Sequence, residues 1–213
     1  MSNNTHRKSE MHPYRSANKL YSQVFTSQDY PHVWDHVALQ GMAQVANLRG
    51  DRPEAERLWQ QAETQFRQHQ DLDTFGHRRA LAQLLLARGD QADLSEALGL
   101  MAADVNVRQD AETLDTYAWT LMRLGRWQEA KESLQTAIGQ GTRNAVIFYR
   151  AGLVEQQLGN ESAAGQYFEA ALAVDPTFGQ RDQQIWGLTR NGLSTSFLVP
   201  KGDGASTFVN NDN

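Results

Sequence analysis

Cysteine is absent from all 213 residues, which removes disulfides, thiolate metal sites and cysteine nucleophiles at once. The absence carries no information on compartment, because exported and cytosolic proteins alike do without cysteine. No stretch approaches the roughly 18 apolar residues in a row that a membrane-crossing helix needs. The first ten residues, Met1 to Glu10, hold no apolar core and do not read as a signal peptide. A cytoplasmic location is expected, with export as the alternative where a leader has been removed. There is no surplus of positive charge either. Lys and Arg number 20 against 25 Asp and Glu, a formal charge of −5. Such a chain has no general attraction to phosphate backbones or anionic lipid, so neither nucleic-acid binding nor membrane insertion is expected. Strand patterning is scarce, and no glycine-rich phosphate loop follows a strand.

What is present is an ordinary soluble composition, 40% hydrophobic and 21% charged, able to bury a real core. Its most informative stretch is Ala111 to Pro176, which repeats itself. Gly125 and Gly159, Ala130 and Ala164, and Ala137 and Ala171 each stand 34 residues apart. Asp115-Thr116-Tyr117-Ala118-Trp119 leads into Leu124-Gly125-Arg126-Trp127-Gln128-Glu129-Ala130 in the first copy. Ala151-Gly152 leads into Leu158-Gly159-Asn160, Ala164, Phe168 and Ala171 in the second. A 34-residue period of this kind resembles the tetratricopeptide repeat, a helix–turn–helix unit that stacks into a solenoid. The resemblance spans about residues 36–178 and is similar to repeat regions of large bacterial proteins of that family.

The resemblance implies an all-α fold, a right-handed superhelix (α-solenoid) of about four helix–turn–helix repeats with flanking capping helices. The repeats fall at about 36–70, 75–110, 111–144 and 145–178. Capping helices are expected at about 16–28 and 180–193, with a disordered tail over 1–15 and a flexible one over 194–213. Ala17, Leu20, Tyr21, Val24 and Phe25 do lie on one helical face. Gly50 is placed to end an inner helix with positive φ, and Pro53 to sit early in the following outer helix. Ala97 lies eight residues after Gly89, not the five of the other repeats. A lengthened turn with Ser95 capping the outer helix is therefore expected there.

Small residues recur at facing positions, Ala43, Ala82, Ala118 and Gly152 on inner helices and Ala55, Ala97, Ala130 and Ala164 on outer ones. They let the two helices of a unit approach within about 8–10 Å. Trp59, Met101, Leu134 and Phe168 are placed to fill the space towards the next unit.

Chemistry-bearing constellations are few. His32 and His36 are four apart with Asp35 beside them, but the glutamate of a zinc-protease helix is missing, and solvated histidines at a helix start are expected instead. Ser, Thr, Asp and Glu are plentiful, yet nothing groups them into a nucleophile, base and orienter. No catalytic residue, metal or cofactor is expected.

In the tetratricopeptide family the concave groove is lined from one stripe of each inner helix. Carried onto this chain, that stripe is Gln40, Gln44 and Asn47 after Val37, then Arg79, Gln83 and Leu86. It continues with Asp115, Trp119 and Met122 after Glu112, and with Tyr149, Leu153 and Gln156 after Val146. Trp119, Met122, Tyr149 and Leu153 would form an apolar patch of the kind that anchors a bound peptide. The competing reading packs Trp119 sideways onto neighbouring inner helices. A carboxylate clamp of the sort some family members use is incomplete here, and only Arg79 and Arg150 would be left to hold one. The implied function is non-catalytic binding of a protein or peptide. The alternative is a self-associating segment of a larger scaffold, and a more remote one is a regulatory domain of an enzyme.

Overall fold

The computed structural model describes residues 12–26, 35–68 and 77–178. Nine helices follow one another within them. They are α1 (His12–Thr26), α2 (Asp35–Leu48), α3 (Arg52–Gln68), α4 (His77–Arg88), α5 (Gln91–Val105), α6 (Ala111–Arg123), α7 (Trp127–Gly139), α8 (Ala145–Gln157) and α9 (Glu161–Val174). The described residues contain no strand. Each helix packs on the next, and α6 also touches α4 and α8. The pairs α2/α3, α4/α5, α6/α7 and α8/α9 are four stacked hairpins, an all-α solenoid preceded by α1. The capping helix expected at 180–193, the tail at 194–213 and His32 lie outside the described residues.

The hairpin turns are set by backbone hydrogen bonding. At the end of α6 the chain enters the left-handed region at Gly125 (φ 74°). Arg126 N–H then reaches back to Leu121 O at 2.9 Å and Gly125 N–H to Met122 O at 3.0 Å. These two bonds satisfy carbonyls that the helix end would otherwise orphan. The same pair closes α2, from Asp51 to Ala46 and Gly50 to Asn47, and α8, from Asn160 to Glu155 and Gly159 to Gln156.

The second hairpin departs from the expected lengthened turn. Gly89 donates to Leu85 O at 2.8 Å, and α5 begins two residues later at Gln91. Ser95 is therefore inside α5, its hydroxyl donating to Gln91 O, and is not the helix cap. The additional residues extend the helix because nothing in Gln91–Ser95 breaks it. Likewise α1 starts at His12, four residues before the onset read from apolar spacing, since a helix can begin on polar residues that its stripe does not mark.

Packing follows the small-residue positions. Ala43, Ala55, Ala82, Ala97, Ala118 and Ala130 are wholly buried, with Trp59 and Met101 filling the spaces between them. At Gly41 the approach is closer still. The Tyr21 ring of α1 lies 2.5 Å from where a Cβ would stand, so any larger residue there would push that ring aside.

The apolar core forms two clusters. One draws on α2 to α5, and the other on α6 to α9 with Phe178. Partly buried charge is paired at the hairpin junctions. Arg88 bridges Glu63 at 2.7 Å and Asp93 at 2.6 Å, and Lys131 meets Glu155 at 2.9 Å.

Candidate functional site

The inner-helix stripe is where sequence and family resemblance locate partner contacts. On α2, Gln40, Gln44 and Asn47 are half-buried along one face. The side-chain amides of Gln40 and Asn47 have no hydrogen-bond partner among the described residues. On α4, Gln83 donates to Thr116 Oγ1 of the next hairpin at 3.2 Å. Arg79 lies between Asp110 (3.3 Å) and Glu112 (2.9 Å), both more exposed than itself.

Asp110 is the cap of α6, accepting from Thr113 N–H at 3.0 Å and Thr113 Oγ1 at 2.8 Å. Burial alone would raise its carboxyl. The Thr113 hydrogen bonds and the charges of Arg79 and Arg108 outweigh that and hold it below its ordinary value.

The expected apolar patch is arranged differently. Leu86, Met122 and Leu153 are core side chains with at most 2% of their surface exposed. Trp119 is 9% exposed and belongs to the cluster built from α2 to α5, although it sits on α6. That is the sideways packing of the competing reading. The physical reason is the close stacking of inner helices. Large apolar side chains at the seams between α4, α6 and α8 gain more from burial there than from facing a solvent groove. Tyr149 is half-buried against Phe168 (5.1 Å) and Phe178 (5.4 Å), and burial raises its phenol pKa. Gln156, the penultimate residue of α8, remains half-buried, with no side-chain partner among the described residues.

Arg150 lies next to the stripe and not on it. Only 2% exposed, it lies over the Trp119 ring at 4.7 Å from the centroid and pairs through Nη1 with Asp115 Oδ2. Its sequence signal was its position one repeat and one residue after Asp115. Both arginines proposed to share an incoming carboxylate are thus already paired with carboxylates of the chain. Arg123 donates to Leu86 O at 2.7 Å, tying α6 to the end of α4, and burial lowers its pKa.

His36 also departs from expectation. It is buried at the start of α2, tilted onto Phe66 at 4.4 Å and edge-on to His77 at 5.7 Å. Two hairpins meet at this ring cluster, so His36 is packed, not solvated. Among the described residues, no group of three or more His, Asp or Glu side chains is placed to hold a metal ion, and no helix is long and apolar enough to cross a membrane.

Stacked two-helix units of this length, each with a glycine-closed turn and small residues where its helices cross, define a helical-repeat protein. The family model of the tetratricopeptide repeat matches residues 145–178, the fourth hairpin. No curated protein matches the chain. Among solved structures, the crystal structure of MamA is similar at 22% identity and TM-score 0.44, over 71% of this chain and 84% of that one. The MamA MSR-1 C2 structure is 16% identical with TM-score 0.43, over 82% of this chain and 93% of that one.

Proposed function

We propose that this chain is a non-catalytic scaffold that holds an extended segment of a partner protein along its inner helices, chiefly through the polar half of the stripe. The observation that carries the reading is the row of half-buried amides on α2, where Gln40 and Asn47 have no partner among the described residues. Primary amides both donate and accept, so such a row suits the alternating N–H and C=O groups of an extended backbone. Gln156 and the edge of Tyr149 supply similar capacity on α8. The core position of Trp119 supports recognition through the polar groups over an aromatic anchor.

The test is site-specific photocrosslinking in cells. A crosslinker replacing Gln40 or Gln156 should capture a discrete partner, while one replacing Gln60, exposed on the outer face of α3, should not. Equal capture from both faces, or capture from Gln60 alone, would refute concave binding.

A second reading, end-to-end self-association, is favoured by exposed leucines on the first and last described helices. Leu20 of α1 is 64% exposed and Leu172 of α9 is 49% exposed. Light scattering should then show oligomers that Leu20→Ser and Leu172→Ser disperse, and a strict monomer at high concentration removes this reading.

A further inference from the structure

The apolar core is divided at the boundary between the second and third hairpins, and one buried side chain among those described crosses it. Trp119 is the only buried residue, among those described, whose helix belongs to one half and whose apolar cluster belongs to the other. The half-buried Tyr117, Leu124, Leu98 and Val105 also reach across, and polar contacts accompany them. Thr116 of α6 is joined to Gln83 of α4 at 3.2 Å. Arg79 meets Asp110 and Glu112 near solvent, and Arg123 meets the Leu86 carbonyl. Water can replace most of these contacts at little net loss. The junctions inside each half are different, since both have continuous buried apolar packing and a partly buried ion pair.

Trp119 is held from the far side. Arg150 of the fourth hairpin covers its ring, and Asp115, one turn before Trp119 on α6, anchors Arg150. The arrangement is not fully satisfied, because Trp119 Nε1 and Asp115 Oδ1 are both buried without a hydrogen-bond partner. A closed state that leaves a donor and an acceptor unanswered gains hydration at those two atoms when it opens.

We propose that Trp119, clamped by Arg150, is a latch holding the two halves of the solenoid at one angle, and that releasing it opens the concave face between α4 and α6. This goes beyond the binding reading and does not depend on it, because the latch is internal to the chain.

The experiment is double electron–electron resonance, made straightforward by the absence of native cysteine. Spin labels at Gln60→Cys on α3 and Glu169→Cys on α9 span the boundary. Labels at Gln135→Cys on α7 and Glu169→Cys report on one half only, and all three positions are exposed. Arg150→Gln should shift and broaden the spanning distance while the within-half distance stays at its wild-type value. Asp115→Asn, which keeps the packing volume, should move the spanning distance in the same direction by less. Should Arg150→Gln lose helicity in circular dichroism, Asp115→Asn decides alone. An unchanged spanning distance in the folded variants, or an equal change in both label pairs, overturns the latch.

Discussion

Gly152 offers the sharpest test of how the hairpins are packed. It lies within α8, and a Cβ built on it would stand 2.6 Å from Phe168 Cδ1 and 3.0 Å from Phe168 Cζ on α9. The ring cannot simply retreat, because Tyr149 lies against it at 5.1 Å. Gly165, on α9, has nothing within 4 Å of its hypothetical Cβ and is exposed. Replacing either glycine by alanine gains about 1 kcal/mol of helix propensity. At Gly165 that gain stands alone. At Gly152 it is opposed by an overpacking cost of about 1–3 kcal/mol. Gly165→Ala should therefore raise the melting temperature by about 2–4 °C, while Gly152→Ala leaves it unchanged or lowers it by up to about 8 °C. The difference between the two cancels the shared propensity term and isolates the clash. Thermal unfolding followed by circular dichroism at 222 nm, with urea midpoints as a second measure, reads both. If the two variants were stabilised equally, the close approach of α8 and α9 through Gly152 would be wrong. Gly152→Leu should be worse than Gly152→Ala in the same assay.

Two further predictions concern charge and capping. Burial would by itself raise the Glu63 carboxyl, but hydrogen bonds from Arg88 and Arg67 outweigh it and hold it below its ordinary value. A group depressed on folding contributes stability above its unfolded value of about 4.3 and loses it as pH falls through the folded one. The urea midpoint should thus drop on acidification below about pH 4, and Glu63→Gln should lower it at neutral pH while shrinking that drop. Asp110→Ala removes the cap of α6 and should cost about 1 kcal/mol by chemical denaturation. Asp110→Asn should keep most of the cap but lose the attraction to Arg79, an effect that added salt erases in the wild type.

The hairpins were legible because their determinants are local. Gly125 and Gly159 end helices through their own backbone freedom, and alanines such as Ala118 and Ala130 mark crossings at a fixed spacing. Ser95 was misread for a related reason. Its residue type suits a cap, but Gly89 had already closed α4 through a single bond to Leu85, which lets α5 begin at Gln91. The inner stripe was legible as a set of positions only. Whether a side chain at such a position meets solvent depends on the neighbouring hairpin, which sequence spacing does not describe.

By itself, the sequence determined the repeat period, the two-helix unit and the polar character of the α2 stripe, because these follow from turn chemistry and periodicity within about 34 residues. The tertiary structure alone decided that Trp119 joins the core of the other half, that Arg150 covers it and pairs with Asp115, and that His36 stacks between hairpins. Those outcomes depend on distances between residues far apart in the chain, where desolvation and close packing choose among partners that a one-dimensional pattern leaves equivalent.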